Sequence, residues 1–292
     1  MRYTLRQLEV FLAVARFASV SRAAKALFMS QSATSGALAD LERQFSVQLF
    51  DRVGKRLALN ELGQALRPQA EATLEQAQEL ERALQTRNPV GRLRLGATLT
   101  IGNYVAAPLM ARFLADHPNA QLSLAVANTE QIARQVANFE IDVGMIEGEL
   151  QHPDLDVEPW RQDQLVVFCA PDHPLGRRRN LTDADLAANA WVVREHGSGT
   201  RQAFDRAMHG LTLQIALELQ HTEAIKSAVA SGMGLGCLSE LALQQEFRSG
   251  TLKACKVPQR DFRRRFYFVL HKHKHRGTGA QAWLQLCRQP AL

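Results

Sequence analysis

The run Ser30-Gln31-Ser32-Ala33-Thr34-Ser35 places an amide and four hydroxyls at the head of a helical pattern. A glutamine amide offers a donor and an acceptor side by side. That pair matches the N6/N7 edge of adenine in the major groove, while Ser32, Thr34 and Ser35 suit phosphate oxygens or base edges. Ser21, a candidate helix cap, and Arg22 stand just before this run, and Arg52, Lys55 and Arg56 flank a short turn after it. Cationic side chains on such a turn suit phosphates or a narrow minor groove. A second set lies further along the chain: Thr98 and Thr100, Thr129, Glu147, then Glu195, Ser198 and Thr200, each beyond a strand-like run. Hydroxyls and free N–H groups at helix starts make anion-friendly corners. Two carboxylates repel an anion unless they are protonated or paired, which leaves a cationic or hydroxyl-rich ligand open.

The elements that hold the first set are readable. Apolar residues at 5, 8, 11, 12 and 15 form one helical stripe. Ala23, Ala24 and Leu27 mark a second helix, and Ala33, Ala37, Leu38 and Leu41 are expected on the inner face of a third. Small residues let two helices cross closely and steeply, as a helix-turn-helix requires. Val47–Leu59 reads as two short strands around Val53-Gly54-Lys55, a hairpin. Asn60 is placed to cap a long helix from Glu61 to Thr86, whose narrow stripe (Leu66, Ala70, Leu74, Ala77, Leu80, Leu84) calls for a partner helix. Pro68 is expected to kink this helix or delay its regular part. Residues 1–60 carry nine Lys/Arg against four Asp/Glu, the densest basic excess in a chain of net charge +6, as phosphate contact requires.

Residues 5–59 resemble the winged helix-turn-helix of the LysR-type transcriptional regulators. The resemblance rests on Leu8, Phe11, Ala15, Ser19, Ala23-Ala24, Leu27, the Ser30–Ser35 run, Leu41-Glu42 and Leu49-Phe50-Asp51-Arg52. Ser32 stands where the family usually has Pro, and Ser46 where it usually has Gly. The resemblance implies a sequence-specific regulator that binds an interrupted inverted repeat of double-stranded DNA. It implies a homodimer through the linker helix, a homotetramer beyond it, RNA polymerase as a further partner, and a small-molecule effector that alters DNA binding or bending.

Beyond the hinge at Arg87–Gly91 the periodicity changes. Strand-like runs (Leu93–Gly96, Leu122–Val126, Ile141–Ile146, Leu165–Phe168, Trp191–Val193, Ile215–Leu219, Leu235–Leu238, Phe266–Leu270) alternate with helical stretches. This implies parallel α/β packing with right-handed crossovers. The stretch resembles the family's two-lobed, periplasmic-binding-protein-like (type II) effector domain. Lobe one is placed at about 91–162 plus 267–292 and lobe two at about 163–266. The expected fold is thus an α-rich winged head (1–60), a linker helix and hinge (61–88), and an α/β effector domain (89–292). In that arrangement Thr98, Thr100, Thr129, Glu147, Glu195, Ser198 and Thr200 line one cleft. The Val192–Arg201 stretch resembles a branch that includes Calvin-cycle and sulfur-metabolism regulators, which suggests an anionic effector.

Other chemistry finds little footing. No Gly-x-Ser-x-Gly elbow or other catalytic constellation is present, so no enzyme, catalytic residue, metal or cofactor is expected. His271, His273 and His275, and the arginines at 260 and 263–265, read as solvated basic surface. Four widely spaced cysteines suit reduced thiols in a cytoplasmic chain, with a redox-sensing cysteine as the minor alternative, and no apolar run approaches a membrane span. The rival reading is a solute-binding or carrier protein built on the two lobes.

Overall fold

The computed structural model describes residues 2–53, 56–85 and 90–289. It divides into two units, 1–91 with 273–281 and 92–272 with 282–292.

The first unit opens with α1 (Leu5–Phe17), whose N-cap Thr4 accepts from the Gln7 backbone N–H while the Gln7 side chain accepts from that of Thr4. α1 ends at Ala18, left-handed at φ 51°. α2 (Val20–Ala26) and α3 (Gln31–Phe45) follow, joined through Phe28 at φ 54°. Leu8, Phe11, Ala23, Leu38 and Leu41 form the core with Leu49 and Phe50. Phe11 meets Phe50 edge-on, with ring centroids 5.7 Å apart. Ser46 takes the left-handed helix end at φ 54°. The hairpin expected from the sequence pairs β1 (Phe50–Val53) with β2 (Arg56–Leu59), Phe50 opposite Leu59. In α4 (Glu61–Gln85) the first turn is capped by Asn60 Oδ1, which accepts from Gly63 N at 2.8 Å, and Pro68 lies within the helix. Ala70 and Leu74 pack on the head, whereas Leu80 and Leu84 stay exposed.

The second unit is one sheet flanked by helices. In chain order it holds β3 (Arg92–Ala97), α5 (Leu99–Ile101), a π turn (Gly102–Ala106), α6 (Ala107–Asp116), β4 (Gln121–Val126), α7 (Thr129–Ala137), β5 (Val143–Glu147) and β6 (Leu155–Cys169). A 3-10 turn (Pro174–Arg177), α8 (Asp183–Ala187), β7 (Ala190–Arg194), α9 (Gly199–Ala207), β8 (Gln214–Leu219), α10 (Thr222–Ala230) and β9 (Leu235–Ser239) follow. α11 (Glu240–Ser249), β10 (Lys253–Cys255) and β11 (Arg263–His271) close it, with the part of α12 (Thr278–Arg288) from residue 282 on. The strands run β4-β3-β5-β11-β6-β9-β7-β8, with β10 on the free side of β6. β3, β4 and β5 are parallel, as are β7, β8 and β9. The long antiparallel pair β6/β11, registered from Arg263↔Gln164 to His271↔Leu155, carries the chain twice between the two parallel groups.

Three expectations need correction. The strand expected at Leu165–Phe168 is only the end of β6, which begins at Leu155; its first half is too polar to show as an apolar run. The helix expected from Tyr104 starts at Leu99 and includes the π turn. His271 is not surface: it ends β11, is 6% exposed, and packs its ring 4.1 Å from that of Phe139.

Candidate functional site

The N-terminus of α3 is the polar tip of the head. Ser30 caps it, its Oγ accepting from Ala33 N at 3.1 Å. Gln31, Ser32 and Ser35 are exposed, and the Ser32 hydroxyl lies 3.1 Å from that of Ser30. Thr34 does not join them. Its side chain is fully buried and donates to Ser30 O at 3.0 Å, so it cannot meet a groove. The inward face of α3 is Thr34, Leu38 and Leu41, and Ala33 is exposed. The α2 cap is likewise Ser19, which accepts from Arg22 N, and not Ser21, which sits exposed one residue inside the helix. Arg22 is exposed and its guanidinium donates to Phe17 O. Arg52 is exposed on β1, and Arg56 begins β2 opposite Val53. Lys55 lies outside the described residues.

In the second unit the parallel strands end on a shared polar centre. Glu147 closes β5 with its carboxylate 1% exposed. Its Oε1 accepts from Thr98 Oγ1 and from Thr100 N, both at 2.9 Å, so it caps α5 from another strand. Its Oε2 accepts from Thr200 Oγ1 at 2.8 Å and from Arg264 Nη1 at 2.7 Å. Arg264, equally buried, donates through Nε to Asp163 at 2.6 Å, and Ser239 Oγ donates to the other oxygen of Asp163 at 2.7 Å. Burial alone would raise the Glu147 pKa. Arg264 and the hydrogen bonds from Thr100 and Thr200 outweigh it and hold the carboxyl down at about 2.

This network joins the two parallel strand groups. Thr98, Thr100 and Glu147 come from the β3–β5 group, Thr200 from α9 beyond β7, and Arg264 and Asp163 from the crossing pair β6/β11. The backbones are equally close, because a Cβ on Gly199 would stand 1.8 Å from Glu147 O. Thr129 Oγ1 donates to that same carbonyl at 2.9 Å. Ser198 caps α9, accepting from Thr200 N, and Glu195 stands apart in a buried two-pronged pair with Arg194 (2.8 and 3.0 Å). Both carboxylates that would repel an anion are therefore neutralised by arginine.

The comparisons with known proteins agree with this architecture. Residues 5–64 match the bacterial regulatory helix-turn-helix protein, lysR family, and residues 86–291 match the LysR substrate binding domain. This chain belongs to the LysR family. It is 43% identical to the HTH-type transcriptional regulator YeiE of Escherichia coli K12, over 98% of each chain. It is 34% identical to the RuBisCO operon transcriptional regulator of Allochromatium vinosum, over 97% of this chain and 95% of that one. The regulatory domain of CcmR from Synechocystis PCC6803, solved in complex with 2-PG, is 32% identical over 68% of this chain and 96% of that one, with a TM-score of 0.63. The fold is thus a helix-turn-helix head with a two-lobed, type II periplasmic-binding-like effector domain, and the protein is a LysR-type transcriptional regulator. The solute-carrier reading finds no support in these matches.

In this LysR effector domain the sequence reading missed the residue at the centre. Arg264 was assigned to solvated surface with its neighbours. Yet Arg263 and Arg265 are exposed while Arg264, Phe266 and Phe268 are buried, a strict alternation along β11. Counting back by twos from Phe268 was the available signal. Asp163, hidden in the polar half of β6, was missed too. So was a second tie between the strand groups, where Tyr104 OH of the π turn donates to Glu223 at 2.9 Å and Glu223 pairs with Lys226 at 2.7 Å.

Two grooves flank the network. One, of about 770 Å³, is lined by Thr129 and Ser198 at the starts of α7 and α9, by Arg134 in the last turn of α7 and by Arg201. The other, of about 750 Å³, runs past Arg161, Arg206 and Arg263–Arg265. Among the described residues no helix is long and apolar enough to cross a membrane.

Proposed function

We propose that the head reads duplex DNA through Gln31, Ser32 and Ser35, with Arg22, Arg52, Lys55 and Arg56 on phosphates, and that an effector acts on the Glu147–Arg264 network. The reading is that of a cytoplasmic, non-enzymatic regulator. Its parts are a head at 1–60, a linker at 61–88 and an effector domain at 89–292, dimeric through α4, tetrameric on its operator, and in contact with RNA polymerase.

The observation that carries the effector half is the convergence of Thr98, Thr100, Glu147 and Thr200 on one buried centre that spans both lobes. Every polar group there is engaged within the chain, so a ligand seated among them must take over some of those bonds. The approach supported best is the groove of about 770 Å³, where Thr129 and Ser198 lie at the starts of α7 and α9. Two helix N-termini favour an acidic group beside Thr129 and Ser198, in line with the CcmR domain captured with 2-PG, while Glu130, Glu149, Asp154 and Asp205 on the same walls suit hydroxyl or cationic groups on the rest of the molecule. The ligand shifts the regulator only by binding one lobe arrangement better than another.

The test is a metabolite screen by thermal shift on the full-length protein, followed by gel-shift titration of operator fragments with each hit. A ligand that raises the melting temperature and changes operator affinity, with both effects weakened in Ser198→Ala and Thr129→Ala, is the expected result. Hits that ignore both substitutions would place the effector elsewhere.

A further inference from the structure

Four cysteines are buried, but they are not alike. For Cys237 and Cys287 burial outweighs the nearby arginines and raises both thiols, that of Cys287 to about 12. Cys169 and Cys255 instead face each other with sulfurs 3.5 Å apart, the Cys255 thiol donating to Cys169. The register explains the meeting. Cys255 pairs with Val167 and Cys169 with Lys253, so the two cysteines are diagonal neighbours on one face of the β6/β10 ladder.

We propose that Cys169 and Cys255 form a reversible disulfide whose closure acts on the Asp163–Arg264 bridge. The mechanical case rests on three features. β10 is a three-residue strand paired only with β6, so it can shift toward Cys169 at the loss of few ladder bonds. The cover over the Cys169 sulfur is thin, since a Cβ on Gly176 would stand 3.2 Å from Sγ, and Gly176 lies in the half-exposed 3-10 turn. Finally, both strands leaving the thiols lead to the polar centre. β6 carries Cys169 and Asp163, and the chain from Cys255 enters β11, where Arg264 stands opposite Asp163. Pulling β10 inward therefore strains the segment 256–262, which is pinned by Arg260 on Asp183 and by Leu181 N on Lys256 O and runs directly into Arg264.

The chemistry balances with a hydroperoxide as oxidant. Cys169 is the attacking sulfur, because the hydrogen bond from Cys255, helped by the charge of Lys253, lowers its pKa against the opposing effect of burial. Its thiolate displaces hydroxide from the peroxide O–O bond, giving a sulfenic acid. The Cys255 sulfur then attacks that sulfur, the S–O bond breaks, and the thiol proton leaves with hydroxide as water. Two thiols lose two electrons and two protons, and one hydrogen peroxide becomes two waters.

The test uses full-length protein, reduced and then treated with hydrogen peroxide. Thiol titration after denaturation should fall from four to two, and peptide mass spectrometry should join the Cys169 and Cys255 peptides with the loss of two hydrogens. Dithiothreitol should reverse both. Cys169→Ser should retain its three remaining thiols at the same dose, and Cys255→Ala is the check should serine disturb folding. Hydrogen exchange across 262–265 should change at least several-fold on oxidation of the wild type and not in either variant. Retention of all four thiols, cross-links between chains, sulfinic acid at Cys169 without a bridge, or a bridge that leaves exchange at 262–265 unchanged would overturn the proposal.

Discussion

Gln31 and Arg52 divide the work of reading and gripping, and their substitutions should separate. Gln31→Ala should lose discrimination between operator and random duplex by about 1–3 kcal/mol while non-specific binding persists. Arg52→Ala should weaken binding to all duplexes and reduce the log–log salt slope by about one. Gel shifts at two salt concentrations check both, and equal loss of specific and non-specific binding in Gln31→Ala would remove it from the reading set. Phe28 presents a different case. It holds φ 54° in the turn between α2 and α3 and is 97% exposed, so the backbone carries the cost of a left-handed aromatic with no packing among the described residues to offset it. Phe28→Gly should stabilise the head by about 1 kcal/mol, read by denaturant unfolding; a loss of stability would mean that the ring packs on something in the free protein.

At the scale of elements, the Glu147–Arg264 pair sets a pH dependence whose sign is fixed. The Glu147 carboxyl lies at about 2 in the fold against 4.5 for the free side chain. Its stabilising contribution is therefore complete above pH 4.5 and is lost as pH falls toward 2, on the order of 3 kcal/mol over that window. Glu147→Gln should flatten the acid limb of the unfolding curve, and a limb unchanged in that variant would refute the assignment. Arg264→Leu should cost about 3–5 kcal/mol because it leaves both Glu147 and Asp163 buried without their arginine, and adding Glu147→Gln should recover only part of it, since Asp163 stays uncompensated. Why the sequence concealed this pair is instructive. Strands β3, β4 and β5 were legible from apolar runs, and Glu147 followed from its place at the end of one. Arg264 was not, because four arginines in six positions look like solvent-facing charge unless the period of two is imposed from Phe266 and Phe268. Thr34 fell to the same error in a helix: the steps 34, 38, 41 define the buried face better than the alanines do.

At the scale of the whole molecule, the stripe on α4 divides in two. Ala70 and Leu74 are used by the head, while Leu80 and Leu84, 63% and 80% exposed, are left uncovered by the described residues. A second copy is the cover proposed above. Leu80→Lys with Leu84→Lys should shift sedimentation toward monomer and abolish cooperative binding to an inverted repeat, while the effector domain keeps its melting temperature. An unchanged sedimentation coefficient would assign self-association to other surfaces. The division into a head and an effector domain was visible from the change of period near residue 90, but the length of the crossing strands was not, because half of β6 is polar.

Position 199 shows how little room the sensing half has for change. A single methyl at Gly199, favourable to α9 by helix propensity alone, would collide with the carbonyl at the end of β5. Gly199→Ala should therefore push the start of α9 away from the end of β5 and loosen the bonds of Thr200 and Arg264 to Glu147, so that one methyl unpicks the join between the two strand groups.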